Sequence, residues 1–322
     1  MRVLVTGGAG YLGSVVSRLL LEQGTQVRGF DSLLHGGQAV LGLYPFDGFE
    51  FMRGDLRDPD AVARALDGVD AIVHLAAIVG DPACKREPDL ARAVNLDASL
   101  ALYEAARHGG VSRFLFASTC SNYGRMEDPL LPATEESALS PLSLYAESKV
   151  AVEQVLLGAP AGGPATTVLR FATLFGLSPR PRFDLTVNEF AAELELTRRL
   201  QVYGRQFWRP YIHVRDAAEV IRRVLDAPVA TVAGEVFNAG DSRENYRKGD
   251  IVDIAVDEVE GPVEIEHVDI ADDPRDYRVG FEKIAERLGF RASRTVRDGI
   301  REVIAAIREG VLTDVSDPRY RN

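Results

Sequence analysis

The chain has 322 residues, 46% of them hydrophobic and 26% charged, which is enough apolar side chain for one large core or two unequal ones. A net charge of −11 spread along the chain speaks against nucleic-acid and membrane partners, whose acidic surfaces need a concentrated cationic footprint. Two cysteines, Cys84 and Cys120, are too few and too unpatterned for a disulfide framework or a metal site, so a reducing, cytoplasmic setting with two buried thiols is the expectation.

MRVLVTGGAG runs directly into a strand and a glycine turn, with no basic and apolar leader, and no stretch approaches the length of a membrane span. VLVT (3–6) predicts the first strand, followed by a helix to about Gln23. QVRGFD (26–31) and FEFMRGD (49–55) predict two more strands, the second leading into the helix of DPDAVARALDG. AIVHLAA (71–77), RFLFAST (113–119) and TTVLRFA (166–172) predict a further three, with helices near 89–108 and 143–157 between them. Short β-branched runs alternating with amphipathic segments are the pattern of βαβ units, hence an α/β fold built on an open, doubly wound parallel sheet of Rossmann type. Beyond Arg170 the regularity weakens. SPRPRFD is rich in proline and arginine, a helix covers about 185–199, and HVRDAAEVIRRVLDAP predicts a helix that returns to the main sheet. The expected division is 1–172 plus about 212–239 as the dinucleotide-binding domain. About 173–211 plus 240–322 then form a smaller α/β substrate domain of non-contiguous pieces.

Gly8, Gly10 and Gly13 fit G-x-G-x-x-G, and Gly7 adds an overlapping register, directly after a strand and directly before the apolar helix face of Leu12, Val15, Val16 and Leu19. Such a turn lets the backbone approach a pyrophosphate, and the helix that follows offers unpaired N–H groups to it. Asp31 closes the next strand where a carboxylate would hold the adenosine ribose. It would repel a 2′-phosphate, and Ser32, Leu33 and Leu34 supply no cation to offset it, so NAD is expected over NADP. Asp55 and Leu56, after the third strand, are placed to meet the adenine.

Tyr145 and Lys149 form Y-x-x-x-K on one face of the helix in SLYAESKVAVEQVL, one turn apart. Upstream, Ser118 and Thr119 end a strand, which in a doubly wound sheet puts their hydroxyls at the crevice where ligands bind. A tyrosine is an effective base near neutral pH only if nearby positive charge favours its phenolate, and a lysine ammonium is such a charge.

The segments TGGAGYLG, FDS, GDL, HLAA, VNLDASLALYEAA, STCSNYG, SLYAESK, LRFATLFG, WRPYIHVRDAA, FNAG and DDPRDYRV together resemble the extended short-chain dehydrogenase/reductase superfamily. The order is closest to its NAD-dependent nucleotide-sugar epimerase/dehydratase branch, the UDP-glucose 4-epimerase-like proteins. The resemblance covers nearly the whole chain. It implies Thr119, Tyr145 and Lys149 as catalytic residues. For the cofactor it implies Gly7, Gly10, Tyr11, Leu12, Gly13, Asp31, Asp55, Leu56, Leu75, Ala76, Ala77, Asn95, Tyr145 and Lys149. For the nucleotide sugar it implies Thr119, Thr173, Asn188, Tyr203, Arg209 and Arg275, with Arg180 and Arg182 as further candidates for its diphosphate. A homodimer built on helices near 95–108 and 143–157 is implied in the same way.

In the 4,6-dehydratases of that branch an Asp-Glu pair follows the catalytic threonine; here Cys120 and Ser121 stand there. The 3,5-epimerases place a cysteine where this chain has Ser121. What remains is oxidation at C4 and return of the hydride to the other face, a 4-epimerisation, with a 4-ketoreductase or dehydrogenase, a dehydratase, or a non-catalytic NAD-binding protein as alternatives. Thr173 stands where many epimerases have asparagine, so the sugar is left open. His74 and His213 sit in apolar strand-like runs and are expected as packed structural histidines.

Overall fold

The computed structural model describes every residue except 127, 129, 130, 161 and 269–275. Twelve strands are assigned among the described residues: β1 (Arg2–Thr6), β2 (Gln26–Asp31), β3 (Phe49–Arg53), β4 (Ala71–His74), β5 (Arg113–Thr119), β6 (Ala165–Phe171), β7 (Thr173–Phe175), β8 (Arg199–Tyr203), β9 (Trp208–His213), β10 (Glu235–Ala239), β11 (Asn245–Arg247) and β12 (Glu264–Val268). Seven of them form one sheet in the order β10-β6-β5-β4-β1-β2-β3. Every pairing within it is parallel.

Both faces of this sheet are covered, which is why its strands are nearly continuous apolar runs. Side chains alternate across a strand. Val3 and Val5 therefore enter one core, with Val16 and Leu20 of helix Tyr11–Glu22 and Ala217, Val220 and Val224 of helix Val214–Asp226. Leu4 enters the opposite core, with Phe114 and Phe116 of β5, Val62 of helix Pro59–Leu66, Leu102 of helix Ser99–His108 and Val152 of helix Leu144–Leu157. Each such fully buried Val, Leu or Phe side chain contributes about 1.5–3 kcal/mol relative to exposure.

A third core joins Phe175, Phe183, Val187 and Phe190 to Ile251, Val252, Ile300 and Val303. Around it lie a three-stranded sheet, β11-β9-β7, and a pair, β12-β8. The segment from Tyr277 to Phe290 does not join this third core. Tyr277, Val279, Phe281, Ile284 and Phe290 pack with the main-sheet residues.

Local signals set most element ends. Ser143 caps helix Leu144–Leu157 by accepting from Ala146 N at 3.3 Å, and Asp58 caps Pro59–Leu66 by accepting from Asp60 N and Ala61 N. The main sheet differs from the sequence expectation in one strand, β10, where EVFNA pairs with β6 over Glu235–Ala239. The helix expected over 89–108 is interrupted by a π-helical turn at Ala93–Ala98, centred on Asn95. β4 ends at His74, leaving Leu75 to Ala77 as loop. No helix among the described residues is long and apolar enough to cross a membrane.

Candidate active site

From β1 the chain moves to β2 on one side, and β4 lies on the other, so the C-terminal ends of these strands open a crevice. The glycine turn lines it. Gly7 adopts φ +72° and donates to Phe30 O at 2.8 Å. A Cβ there would stand 2.9 Å from Ala76 N, and one at Gly13 would stand 2.0 Å from Gly7 O. Only glycine permits strand, turn and helix to close this tightly, and the closure leaves helix Tyr11–Glu22 starting at the crevice without a side-chain cap on its N–H groups. Asp31 reaches back to the turn, accepting from Ala9 N at 3.1 Å and Leu33 N at 2.7 Å. Burial raises its pKa against these two hydrogen bonds. The loop after β4 is held by Asn95, whose amide both accepts from Ile78 N at 2.8 Å and donates to Ile78 O at 2.9 Å. Asn95 thus fixes this loop at Ile78, the residue after Ala77. Leu12 and Leu56 are buried, while Asp55 is paired with Arg57 at 2.6 Å, which lowers its pKa. A glycine cradle without side-chain obstruction beside a carboxylate fits the pyrophosphate and adenosine ribose of a dinucleotide.

Thr119 ends β5, and helix Leu144–Leu157 carries Tyr145 and Lys149 alongside. Lys149 is buried; its ammonium donates to Ala117 O at 2.8 Å and lies 4.6 Å from the Phe116 ring centre and 5.8 Å from that of Tyr145. Burial lowers its pKa to about 8, against the nearby Glu153 charge that raises it. Loss of solvent at the Tyr145 hydroxyl pushes its pKa well up, and the charge that opposes this most is Arg182. Sequence spacing alone assigned that task to Lys149. Thr119 Oγ1 accepts from Ser121 N at 3.1 Å and lies 2.9 Å from Ser121 Oγ. The Cys120 thiol turns inward, donating to Arg170 O at 3.1 Å, and burial raises its pKa well above the usual thiol value.

The remaining sequence candidates are spread more widely. Tyr11 donates its hydroxyl to Gly176 O at 2.6 Å, tying the glycine-turn helix to the chain after β7. Asn188 is buried, accepting from Gly176 N at 2.8 Å and donating to Arg182 O at 2.9 Å, so its amide organises this same loop. Thr173 begins β7 opposite Tyr211. Arg209 is buried on β9, with its guanidinium 5.4 Å from the Tyr277 ring centre. Tyr203 is exposed at the end of β8. Arg275 lies outside the described residues. His74 is sealed between Thr6 Oγ1 at 2.7 Å and Ser99 Oγ at 2.9 Å, and burial lowers its pKa to about 3. His213 packs edge-on to Phe175 and meets Glu302 at 3.0 Å.

Sequence reasoning missed Glu153. It is buried beneath the Tyr145–Lys149 face, accepting from Asn122 Nδ2 at 2.8 Å, Arg170 Nη2 at 2.7 Å and the Ser118 hydroxyl. Its spacing of four from Lys149 was the available signal, since it puts a carboxylate on the same helix face.

A model of the NAD dependent epimerase/dehydratase family matches residues 3–240. A UDP-glucose 4-epimerase of Streptomyces lividans is 34% identical over 236 residues, spanning 68% of this chain and 69% of that protein. A dTDP-glucose 4,6-dehydratase of Streptomyces niveus is 32% identical over 256 residues, 76% of this chain and 74% of that one. The UDP-glucose 4-epimerase of Thermus thermophilus, solved in complex with NAD, matches with a TM-score of 0.82 and 28% identity, covering 96% of this chain and 99% of that one. With this match running from the glycine cradle through the Tyr-Lys helix to β10, the chain belongs to the NAD dependent epimerase/dehydratase family of enzymes.

Proposed function

We propose that the chain is a nucleotide-sugar 4-epimerase that works by transient oxidation of the sugar at C4. Bound NAD supplies the hydride acceptor and, on return, the hydride donor. Tyr145 takes the proton of the C4 hydroxyl as that carbon is oxidised, and gives it back when the ketone is reduced from the other face. Thr119 hydrogen-bonds the oxygen as it gains carbonyl character, and Lys149 contributes the charge that favours the phenolate. Gly7, Gly10, Tyr11, Leu12 and Gly13, with Asp31, Asp55, Leu56, Leu75–Ala77 and Asn95, form or support the cofactor cleft. Thr173, Asn188, Tyr203, Arg209 and Arg275 are assigned to the substrate side, within a domain of about 173–211 plus 240–322, from which Tyr277, Val279, Phe281, Ile284 and Phe290 depart to pack with the main-sheet residues; the cofactor domain comprises 1–172 plus about 212–239.

The observation that carries this reading is the pair of side chains after Thr119. The Cys120 thiol is buried against Arg170 O, and Ser121 turns to Thr119, so neither offers the acid that elimination of water needs. A site equipped for hydride removal but not elimination completes its cycle by giving the hydride back. Incubation with UDP-, GDP- and dTDP-hexoses and uronic acids in D₂O should convert at least one into its C4 epimer, with no deuterium at C4 and no added reductant. Loss of water would instead establish the dehydratase reading that the Streptomyces niveus relative brings into view. Accumulation of a keto sugar with NADH would establish a dehydrogenase.

We also infer a homodimer formed by helices Ser99–His108 and Leu144–Leu157. Exposed Val155 and Leu157 on the second helix support it, as does an apolar surface pocket lined by Val62, Ala98, Ala101 and Ala105 beside the first. Sedimentation at micromolar concentration should give a dimer; a clean monomer refutes this. The two buried free thiols are consistent with a reducing, cytoplasmic setting.

A further inference from the structure

The loop from Gly176 to Asp184 is fastened to the first turn of the glycine-motif helix. Ser178 Oγ donates to Tyr11 O at 2.6 Å and meets Ser14 Oγ at 3.3 Å, and the Tyr11 hydroxyl reaches Gly176 O. Arg180 N in turn donates to Ser178 Oγ at 3.3 Å. Arg180 is therefore anchored on the same short stretch, residues 9–14, to which Asp31 is bound through Ala9 N. Its side chain is buried, only 6% exposed, and its Nε has no hydrogen-bond partner. No carboxylate lies within ion-pair distance of Arg180 among the described residues, whereas its neighbour Arg182 is paired with Asp184 at 2.5 Å. Burying a cation that has no ion-pair contact, together with a bare N–H donor, is costly unless something meets them.

The other side of Arg180 is held from a distant part of the chain. Its Nη2 donates to Arg321 O at 3.0 Å, Phe183 N donates to Tyr320 O at 2.9 Å, and the Phe183 and Tyr320 rings pack edge to face at 6.0 Å. Arg180 is thus clamped between the dinucleotide crevice and the segment 319–322. Its charge reaches two groups at the adenosine end of the crevice, opposing the rise in the Asp31 pKa and, after burial, helping to hold His35 down to about 4.

We infer that Arg180 is a cofactor-binding residue, whose guanidinium holds the adenosine diphosphate half of NAD and is itself held in place by the Arg321 carbonyl, with Tyr320 bracing the same loop at Phe183. This rests on the assignment of the crevice to NAD. It differs from the expectation that Arg180 grips the diphosphate of the nucleotide sugar. A planar guanidinium with unspent donors matches phosphate oxygens and ribose hydroxyls alike, and it compensates the Asp31 carboxylate without removing it.

The test is to strip bound nucleotide from the full chain and titrate NAD, ADP-ribose, and whichever of UDP or dTDP the unaltered protein binds. Arg180→Met should weaken NAD and ADP-ribose together, on the order of ten- to a hundredfold, the worth of one charged hydrogen-bonding group. Nucleoside diphosphate affinity should stay unchanged, which also reports a folded variant. Tyr320→Ala, which removes the ring packed on Phe183 while keeping the Arg180 side chain and the Arg321 carbonyl, should shift NAD affinity in the same direction by a smaller factor. Unaltered NAD affinity in both variants overturns the inference, as does a loss that falls on UDP or dTDP instead. If the unaltered protein binds neither NAD nor ADP-ribose, the assignment of the crevice itself fails.

Discussion

Tyr145→Phe should lower turnover by about two to four orders of magnitude, the usual worth of a positioned general acid–base, while NAD and substrate affinities stay within a few-fold. The substitution removes one oxygen and keeps the ring, so the Lys149 ammonium 5.8 Å from the ring centre retains its neighbour. The glycine cradle and Asp31 belong to other strands and are untouched. The defect should therefore appear in kcat, with KM little changed. The pKa direction explains why the oxygen depends on its surroundings: burial alone pushes the Tyr145 hydroxyl up, away from usefulness as a base, and Arg182 opposes that rise. In the proposed reaction the Lys149 charge and an oxidised nicotinamide would add further positive charge in favour of the phenolate. Near-normal turnover in the Phe variant would show that another group carries the proton.

Glu153→Gln should destabilise the fold by about 3–5 kcal/mol, the cost of leaving a buried ionic partner unpaired, read by urea unfolding at pH 7. Glu153 and Arg170 are buried, with side chains 2% and 6% exposed and a 2.7 Å contact between them. Arg170 also donates to Tyr123 Oη at 3.1 Å, and the Tyr123 hydroxyl donates to Asn238 Oδ1 at 2.6 Å, so the loss spreads across β6, β10 and the turn after β5. Replacing both ions by apolar residues, Glu153→Leu with Arg170→Met, should recover much of the deficit, because no charge is then stranded. If the single variant unfolds like the unaltered protein, the pair contributes nothing to stability.

The same variant carries a pH signature that lost packing would not produce. Lys149 holds its proton below about 8 and loses it above, because burial has lowered a pKa that is ordinarily 10.5. A rate that needs the ammonium therefore declines as pH rises through about 8. Removing the Glu153 charge, which raises that pKa, should move the decline to lower pH. Stability has the opposite sign: with the folded value below the unfolded one, keeping Lys149 protonated costs stability below pH 8, and that cost is relieved as pH rises from about 8 toward 10.5.

Legibility in the sequence followed the range of the interaction. The glycine turn, the Tyr145–Lys149 spacing and the parallel sheet were readable because each depends on neighbours within a turn or a strand. Gly13 is required by contact with Gly7, and Val3, Leu4 and Val5 alternate between two cores as a strand buried on both faces demands. The seventh strand escaped notice because five residues, EVFNA, carry too short a pattern until β6 supplies hydrogen-bond partners. The π-turn at Asn95 likewise follows from the loop that its amide must hold. Tertiary structure alone decided the electrostatics of the site. Residues 32–34 offer no cation to Asp31, yet in the fold the Arg180 charge opposes the burial that raises the Asp31 pKa, the Arg182 charge does the same for Tyr145, and Glu153 is buried against Arg170. Spacing along a helix or strand determines which side chains share a face. Which charges meet, and how far burial moves their pKa values, depends on segments far apart in the chain packing together and expelling water.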